Sequence, residues 1–195
     1  MNEKNAPTLL DFASSRAAIL HRVIKPLMYP LSKDDRKLIR DMKYSILPPQ
    51  LSKQNAAWSD SVGMAANQWG LEKRIFLFAP EGTSKGIEVV INPAYVPVLD
   101  SETDYEWEGC FSLPLTLGYV QRYTKIRINY QNEEGKFITK ILKGYPARVW
   151  QHETDHLDGL LYDNAKARIC LEKMVFLTQQ AAELFYDAKD KEQGR

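Results

Sequence analysis

Apolar side chains recur at three- and four-residue spacing over residues 12–28 and 32–46, which is the period of an amphipathic helix. Ser32 stands where an N-cap of the second stretch would, and a pair of prolines closes that stretch. The pattern therefore predicts two helical stretches near the N-terminus. The first of them is interrupted near Pro26 and Pro30.

The middle of the chain has a different pattern, in which short apolar or alternating runs are bounded by turn-forming residues. These runs predict strands over residues 74–78, 87–92, 118–123, 125–131 and 136–142. The last two strands are joined by the turn Asn132–Gly135, so they are expected to form a hairpin. The Asn-Pro pair at residues 92–93 predicts the end of the second strand.

Helical periodicity returns at Tyr145, with Pro146 suited to a first turn, and extends to about Leu160. A further amphipathic pattern extends over residues 164–190. It predicts a C-terminal helix over about residues 166–190, with Cys170 near its start. Strands in one block, with helices before and after them, are typical of the α+β class.

The size and charge of the chain exclude several kinds of protein. Its 195 residues suit one domain, residues 1–195, and 44% hydrophobic residues argue against a disordered chain. A formal net charge of +1 provides no global field for nucleic acid or an anionic membrane. There is no run of eighteen apolar residues and no secretory signal, so we expect a cytoplasmic protein of bacterial type rather than an organellar one.

Residues that bind transition metals are scarce in this sequence. The chain has two cysteines and three histidines, and two of those histidines lie in His152-Glu153-Thr154-Asp155-His156. On a helix, positions four apart share one face, so both imidazoles can reach a single metal ion. Glu153 stands where a general base beside that ion would stand.

Two histidines leave such a centre one protein ligand short, because catalytic sites of the zinc type have three. No histidine follows His156, whereas a downstream Glu172 or Glu183 remains possible. Cys110 is the other candidate, and it lies in a segment where Gly109 permits close approach of the backbone. The spacing alone leaves these alternatives open.

Three segments together resemble the motifs of the peptide deformylase family. They are Ser61-Val62-Gly63-Met64-Ala65-Ala66-Asn67-Gln68, Glu108-Gly109-Cys110-Phe111-Ser112 and Gln151-His152-Glu153-Thr154-Asp155-His156. They occur in the order of the family, and the resemblance covers roughly residues 60–165. One residue departs from the pattern, since Ser61 replaces a glycine.

The resemblance implies mixed or antiparallel sheets packed around a central helix that carries the His-Glu-x-x-His motif, with N-terminal helices and a C-terminal helix. It implies a mononuclear ion bound by Cys110, His152 and His156. Iron(II) is the ion expected, with zinc, nickel or cobalt as substitutes. Glu153 would act as the base, while the side-chain amide of Gln68 and the backbone N–H of Phe111 would stabilise the oxyanion.

The substrate implied is the N-formylmethionine terminus of a nascent peptide, from which formate is released. Backbone groups around Val62, Gly63 and Gly109 would bind the peptide, and Val149 and Trp150 are candidates for the methionine pocket. The C-terminal helix is a candidate ribosome contact, while no nucleic-acid specificity and no membrane partner are expected. Two other functions remain open: a different His-Glu-x-x-His metallohydrolase, and an inactive or divergent binding protein with the same fold.

Overall fold

A computed structural model describes residues 7–54, 60–162 and 170–192. The helices within these ranges are α1 (Lys33–Ser45), α2 (Pro48–Lys53), α3 (Tyr145–Leu157) and α4 (Gln179–Glu192). The strands are β1 (Gly63–Ala65), β2 (Ile75–Phe78), β3 (Glu88–Pro97), β4 (Thr103–Glu108), β5 (Thr116–Tyr123), β6 (Lys125–Gln131), β7 (Phe137–Lys143) and β8 (Cys170–Val175). None of the helices in the described ranges combines the length and the apolar character needed to cross a membrane.

The second N-terminal helix is confirmed as α1, and its start has the predicted cap. The hydroxyl of Ser32 accepts a hydrogen bond from the Asp35 N–H, and the Asp35 carboxylate accepts one from the Ser32 N–H. Both bonds satisfy donors that the first turn of a helix leaves unpaired. Helix α1 ends before the prolines predicted to close this pattern, and the same prolines begin α2, because a proline fits the first turn of a helix.

The helix predicted over residues 12–28 is wrong, since only the short 3-10 turn Ala18–His21 forms there. The backbone N–H groups of Ala13 and Ile24 donate to the carbonyls of Gln68 and Leu157, at 2.7 and 2.8 Å. The segment thus uses its hydrogen-bonding groups on distant parts of the chain, which is incompatible with a continuous helix.

The sheets confirm the α+β class. A five-stranded sheet has the order β1-β2-β3-β6-β7, a three-stranded sheet has the order β4-β5-β8, and the strand pairs are antiparallel. Helix α3 contacts strands of both sheets. Its Trp150 is completely buried and meets Phe76, Phe78 and Tyr130 edge to face, at centroid distances of 4.9 to 5.4 Å. This aromatic contact fixes the helix against the larger sheet.

The sequence prediction ends β3 too early and does not include β1 or β4. Strand β3 continues to Pro97 because the ladder shifts register between Ile91 and Ala94, with Asn92 at a φ of 52°. A bulge of this kind accommodates a proline that cannot donate to the ladder. Strand β4 was not predicted at all, although its polar and aromatic residues alternate.

The prediction of one helix over residues 164–190 is wrong in its first part. Residues 170–175 form strand β8, which pairs with β5 from Thr116 to Val120, so Cys170 lies in a strand. Residues 163–169 lie outside the described ranges, and the C-terminal helix begins at Gln179. The open edge of β5 explains the difference, since pairing there satisfies the backbone groups of the segment.

Two glycines with similar backbone angles can be compared to test the close contact between Gly159, just after α3, and the backbone of Arg22. Gly159 and Gly70 have φ values of 71° and 75°, but an added Cβ would lie 2.7 Å from backbone atoms of Arg22 at Gly159 and would meet nothing at Gly70. Gly70→Ala should therefore cost roughly 1–2 kcal/mol of unfolding free energy, from the left-handed backbone alone. Gly159→Ala should cost about 2–5 kcal/mol, because overpacking adds to it. Urea unfolding measures both, and equal losses would contradict the close approach.

Candidate metal centre

Helix α3 and the loop after β4 bring three possible metal ligands together. The Nε2 atoms of His152 and His156 are 3.2 Å apart, and the Sγ of Cys110 lies 3.2 Å from Nε2 of His156. The three ligand atoms all lie within 4.8 Å of one another. Within the described ranges, this is the one group of three or more His, Cys, Asp or Glu residues arranged to hold an ion.

The donor set fits a mononuclear divalent metal. Ligand nitrogens around a tetrahedral zinc-type ion, at metal–nitrogen distances of about 2.0–2.1 Å, lie about 3.3 Å from each other. The observed separation of the two imidazole nitrogens, 3.2 Å, is close to that value. Glu172 and Glu183, the other candidates for the third ligand, do not belong to the group. Of the alternatives that the sequence left open, Cys110 is the one that lies with the two histidines.

Glu108, at the end of β4, orients one of the imidazoles. Its Oε2 lies 2.9 Å from Nδ1 of His152, so the ring donates through Nδ1 and presents the lone pair of Nε2 to the ion site. Arg122 of β5 binds both carboxylate oxygens at 2.9 Å, and Arg148 of α3 donates to Oε1 at 2.8 Å. Burial alone would raise the pKa of Glu108, but Arg122 and His152 hold the pKa well below its ordinary value.

Arg122 connects this carboxylate to a second acid on the same helix. It donates through Nη1 to Asp155, and its own side chain is only 2% exposed. Arg148 is similarly buried and reaches Asp104 and the Val120 carbonyl as well as Glu108. The site is thus surrounded by paired charges that join β4, β5 and α3.

Glu153 has a different environment from the paired acids. Its carboxylate lies beside Gly63, where an added Cβ would come within 2.6 Å of Oε1, and its Oε2 has no hydrogen-bond partner among the described residues. Burial raises the pKa of Glu153 to about 7, against the opposing effects of His152 and the Ala65 N–H. Such a carboxyl can both accept and return a proton near neutral pH.

Gln68 is held by its neighbours with its amide directed towards the thiol. Its Oε1 accepts from the Ala65 N–H at 2.9 Å, and its Nε2 lies 3.2 Å from the Ser112 hydroxyl and 3.7 Å from Cys110 Sγ. The amide N–H groups therefore face the metal centre, where they can donate to a developing negative charge.

A half-open cavity of about 260 Å³ lies over this centre. Most of the residues predicted for the site line it: Val62, Gly63, Gln68, Gly109, Cys110, Phe111, Val149, His152 and Glu153. His156 does not line the cavity but contacts Cys110 from below. Trp150, predicted for the methionine pocket, is a correction, because it faces the larger sheet on another side of α3 and forms part of the core.

The buried arginines are the residues that sequence reasoning missed. Arg122 occupies an inward position in the alternation of β5, together with Val120 and Gly118. A charged residue at an inward strand position needs a buried counter-charge, and this was the signal available in the sequence. Which acid supplies that charge depends on the pairing of β5 with β4 and on its contact with α3.

Two imidazoles, a thiol and a buried carboxyl meet at the base of this cleft. Such a group of side chains is typical of a metal-dependent hydrolase. The family profile described as Polypeptide deformylase matches residues 10–169. A peptide deformylase of Lacticaseibacillus casei is 37% identical over 159 residues, which cover 78% of this chain and 86% of that relative.

Solved structures give the same result. Peptide deformylase of Thermotoga maritima superposes with a TM-score of 0.66 and 31% identity, covering 79% of this chain and 95% of that one. A class I type b peptide deformylase of Acinetobacter baumannii with Met-Ala-Ser bound superposes with a TM-score of 0.67 and 27% identity. The match covers 81% of this chain and 98% of that one. The chain belongs to the polypeptide deformylase family, whose members are hydrolases acting on a linear amide, the formyl group of N-formylmethionine peptides.

The charge pairing around Glu108 gives a stability prediction. Arg122→Leu removes the guanidinium from two buried carboxylates and should cost about 3–5 kcal/mol of unfolding free energy, because an unpaired buried charge is strongly unfavourable. Arg127→Leu, at an exposed position of β6, is the matched control and should cost about 0.5 kcal/mol or less. Urea unfolding of both variants makes the comparison, and similar losses would show that the buried network contributes little.

Proposed function

We propose that this chain removes the formyl group from N-formylmethionine at the start of newly made polypeptides, with one metal ion bound by Cys110, His152 and His156. The observation that carries the proposal is the position of Glu153. Its buried carboxyl, one oxygen of which has no hydrogen-bond partner among the described residues, lines the same cavity as Cys110 and His152, and burial raises its pKa to about 7. A candidate base, two of the three candidate ligands and two candidate oxyanion donors thus line one cavity, and His156 lies behind Cys110.

The bound ion would supply Lewis-acid polarisation of the formyl carbonyl and a water nucleophile available at neutral pH. Glu153 takes the proton of the attacking water as oxygen bonds to the formyl carbon. It then gives that proton to the amine as the carbon–nitrogen bond breaks, releasing formate and a free N-terminus. A pKa of about 7 suits both steps, because the group must accept and donate within one turnover.

Negative charge develops on the formyl oxygen during the attack. The Gln68 amide, fixed by Ser112 and Ala65, and the backbone N–H of Phe111 would donate to that oxygen. Both residues line the cavity next to Cys110. Their rigidity matters because preorganised donors need not rearrange when charge appears.

The peptide would bind in extended form along β1, an end strand of the larger sheet. The Val62 carbonyl accepts from Ala79 on the β2 side at 2.9 Å, so the backbone groups of Gly63 face the opposite edge. Ser61, the departure from the family pattern, is buried and donates its hydroxyl to the Gly63 carbonyl at 2.7 Å. The substitution thus adds a hydrogen bond at the edge where the peptide would bind.

The methionine side chain would enter the cavity beside Val149, which is 5% exposed and lies one helix position from Arg148. Gly109, on the loop opposite β1, would bind the peptide backbone from the other side.

Iron(II) is the proposed working ion, although a thiolate and two imidazoles also suit zinc, nickel and cobalt.

We also propose cytoplasmic action on nascent chains, with α4 as a contact to the ribosome. The exposed side chain of Leu184 on this helix supports a docking role, because a large apolar side chain left in solvent is available to a partner.

Formate release is the direct test of the function. Protein purified without oxygen and loaded with iron(II) should release formate from formyl-Met-Ala-Ser and expose one amine per formate. Acetyl-Met-Ala-Ser is the matched control substrate, and the Cys110→Ser variant should lose most of both metal and activity. Absence of formate with iron(II), nickel and cobalt alike would refute the proposal.

The role of Glu153 is tested by separating metal binding from turnover. Glu153→Gln should retain the ion, because the carboxyl is not among the three ligands, but kcat should fall by at least about 10²-fold without the base. Metal content and formate release are measured on the same preparation, with His156→Gln as the variant expected to lose the ion. Loss of metal from Glu153→Gln would mean that the glutamate acts as a ligand.

A further inference from the structure

The N-terminal segment reaches the metal centre although it belongs to none of the three motifs. The ring of Phe12 stacks on that of Phe111, with centroids 5.5 Å apart and planes inclined by 17°. It also stacks on Trp69, at 6.3 Å and 8°. Next to it, the Ala13 N–H donates to the Gln68 carbonyl at 2.7 Å. Two adjacent residues therefore contact the two residues that supply the candidate oxyanion donors, Phe111 through its ring and Gln68 through its backbone carbonyl.

The same segment is anchored on its other side to α1. The N–H of Thr8 donates to Asp41 and the N–H of Leu10 donates to the Ser45 hydroxyl, both at 2.9 Å. Asp41 and Ser45 are buried, so these anchors are fixed parts of the helix. Phe12 is thus tied to the helix on one side and to the metal centre on the other.

The two donors need such support because neither lies in a regular ladder. Gln68 is in the 3-10 turn Ala66–Trp69, and Phe111 lies on the loop between β4 and β5. The distance between two turns is set by what packs against them. A displacement of about 1 Å in a catalytic group can cost about 10²-fold in rate.

We propose that Phe12 is a positioning residue for deformylation, whose ring sets the spacing between the Gln68 amide and the Phe111 N–H. The inference rests on the proposed function of those two donors. Phe12 does not line the cavity and touches no reacting atom, so it acts through Phe111 and Trp69 alone. Its effect belongs to the transition state, where the donors meet developing charge, and not to the binding of the peptide.

The kinetic test compares Phe12→Ala with Leu10→Ala. Leu10 is a matched control because it lies in the same segment and packs on the same core cluster without a ring contact to Phe111. Phe12→Ala should lower kcat for formyl-Met-Ala-Ser about 10- to 100-fold with KM changed less than about threefold, because transition-state contacts are lost. Phe12→Tyr should restore kcat, and Leu10→Ala should leave it within about twofold.

A second measurement does not depend on activity. In zinc-loaded protein, Phe12→Ala should shift the NMR signals of the Phe111 amide and the Gln68 side-chain amide and speed exchange of the Phe111 N–H, while Leu10→Ala leaves them in place. Phe12→Leu replaces the alanine variant if that variant fails to fold. It should shift the same amide signals and speed the same N–H exchange, but by smaller amounts.

The outcomes separate the two proposals. If the wild-type chain releases no formate but the amide signals respond to Phe12→Ala, the proposed function fails and the positioning of the two donors is supported. If Phe12→Ala matches Leu10→Ala in kcat and leaves both signals unchanged, the positioning role is overturned. A rise in KM at unchanged kcat would also overturn it, because that pattern indicates a contribution to peptide binding.

Discussion

The buried carboxylate of Glu108 is the group on which the arrangement of this site depends. It is held between Arg122 and Arg148 and orients the ring of His152, all within the protein interior. A charge in such a place is stable only if its partners stay in position. Since Glu108 lies on β4 and its partners on β5 and α3, the smaller sheet and the helix must dock in one geometry before the imidazole can face the candidate ion site.

Helix α3 is bound to the two sheets by different forces. Towards the larger sheet it presents Trp150, which packs edge to face on aromatic rings and contributes apolar burial. Towards the smaller sheet it presents Arg148, His152 and Asp155, whose contacts are charged and directional. The apolar contact is not directional, whereas the charged contact fixes the rotation of the helix and hence the direction of its imidazoles.

Two acids in the same cavity have opposite properties for the same reason. Glu108 is paired with two arginines and stays ionised, whereas Glu153 is buried beside a glycine, with one oxygen unpaired among the described residues, and its pKa rises to about 7. Position along the chain does not distinguish them, since both are buried glutamates within two residues of a candidate metal ligand. Their surroundings assign one to orienting a ligand and the other to moving a proton.

Much of the site could be predicted from the sequence because its spacing is local. His152, Glu153 and His156 fall on one helix, and the strongly patterned α1, β6–β7 hairpin and α3 formed where the periodicity placed them. The failures were the segment over residues 12–28 and the strand β8, whose backbone groups bond to distant parts of the chain. Periodicity records only which face of a segment is apolar, so it cannot reveal such long-range pairing.

The sequence by itself determined the chemistry available: one thiol and two imidazoles in motif positions, a glutamate beside them, and a family whose members act on formylated peptides. The tertiary structure decided which groups meet. It placed Cys110, and not Glu172 or Glu183, beside the two histidines, and it moved Trp150 from the pocket to the core. The reason is that ligand geometry and pKa depend on distances of a few ångströms between segments far apart in the chain, which packing alone sets.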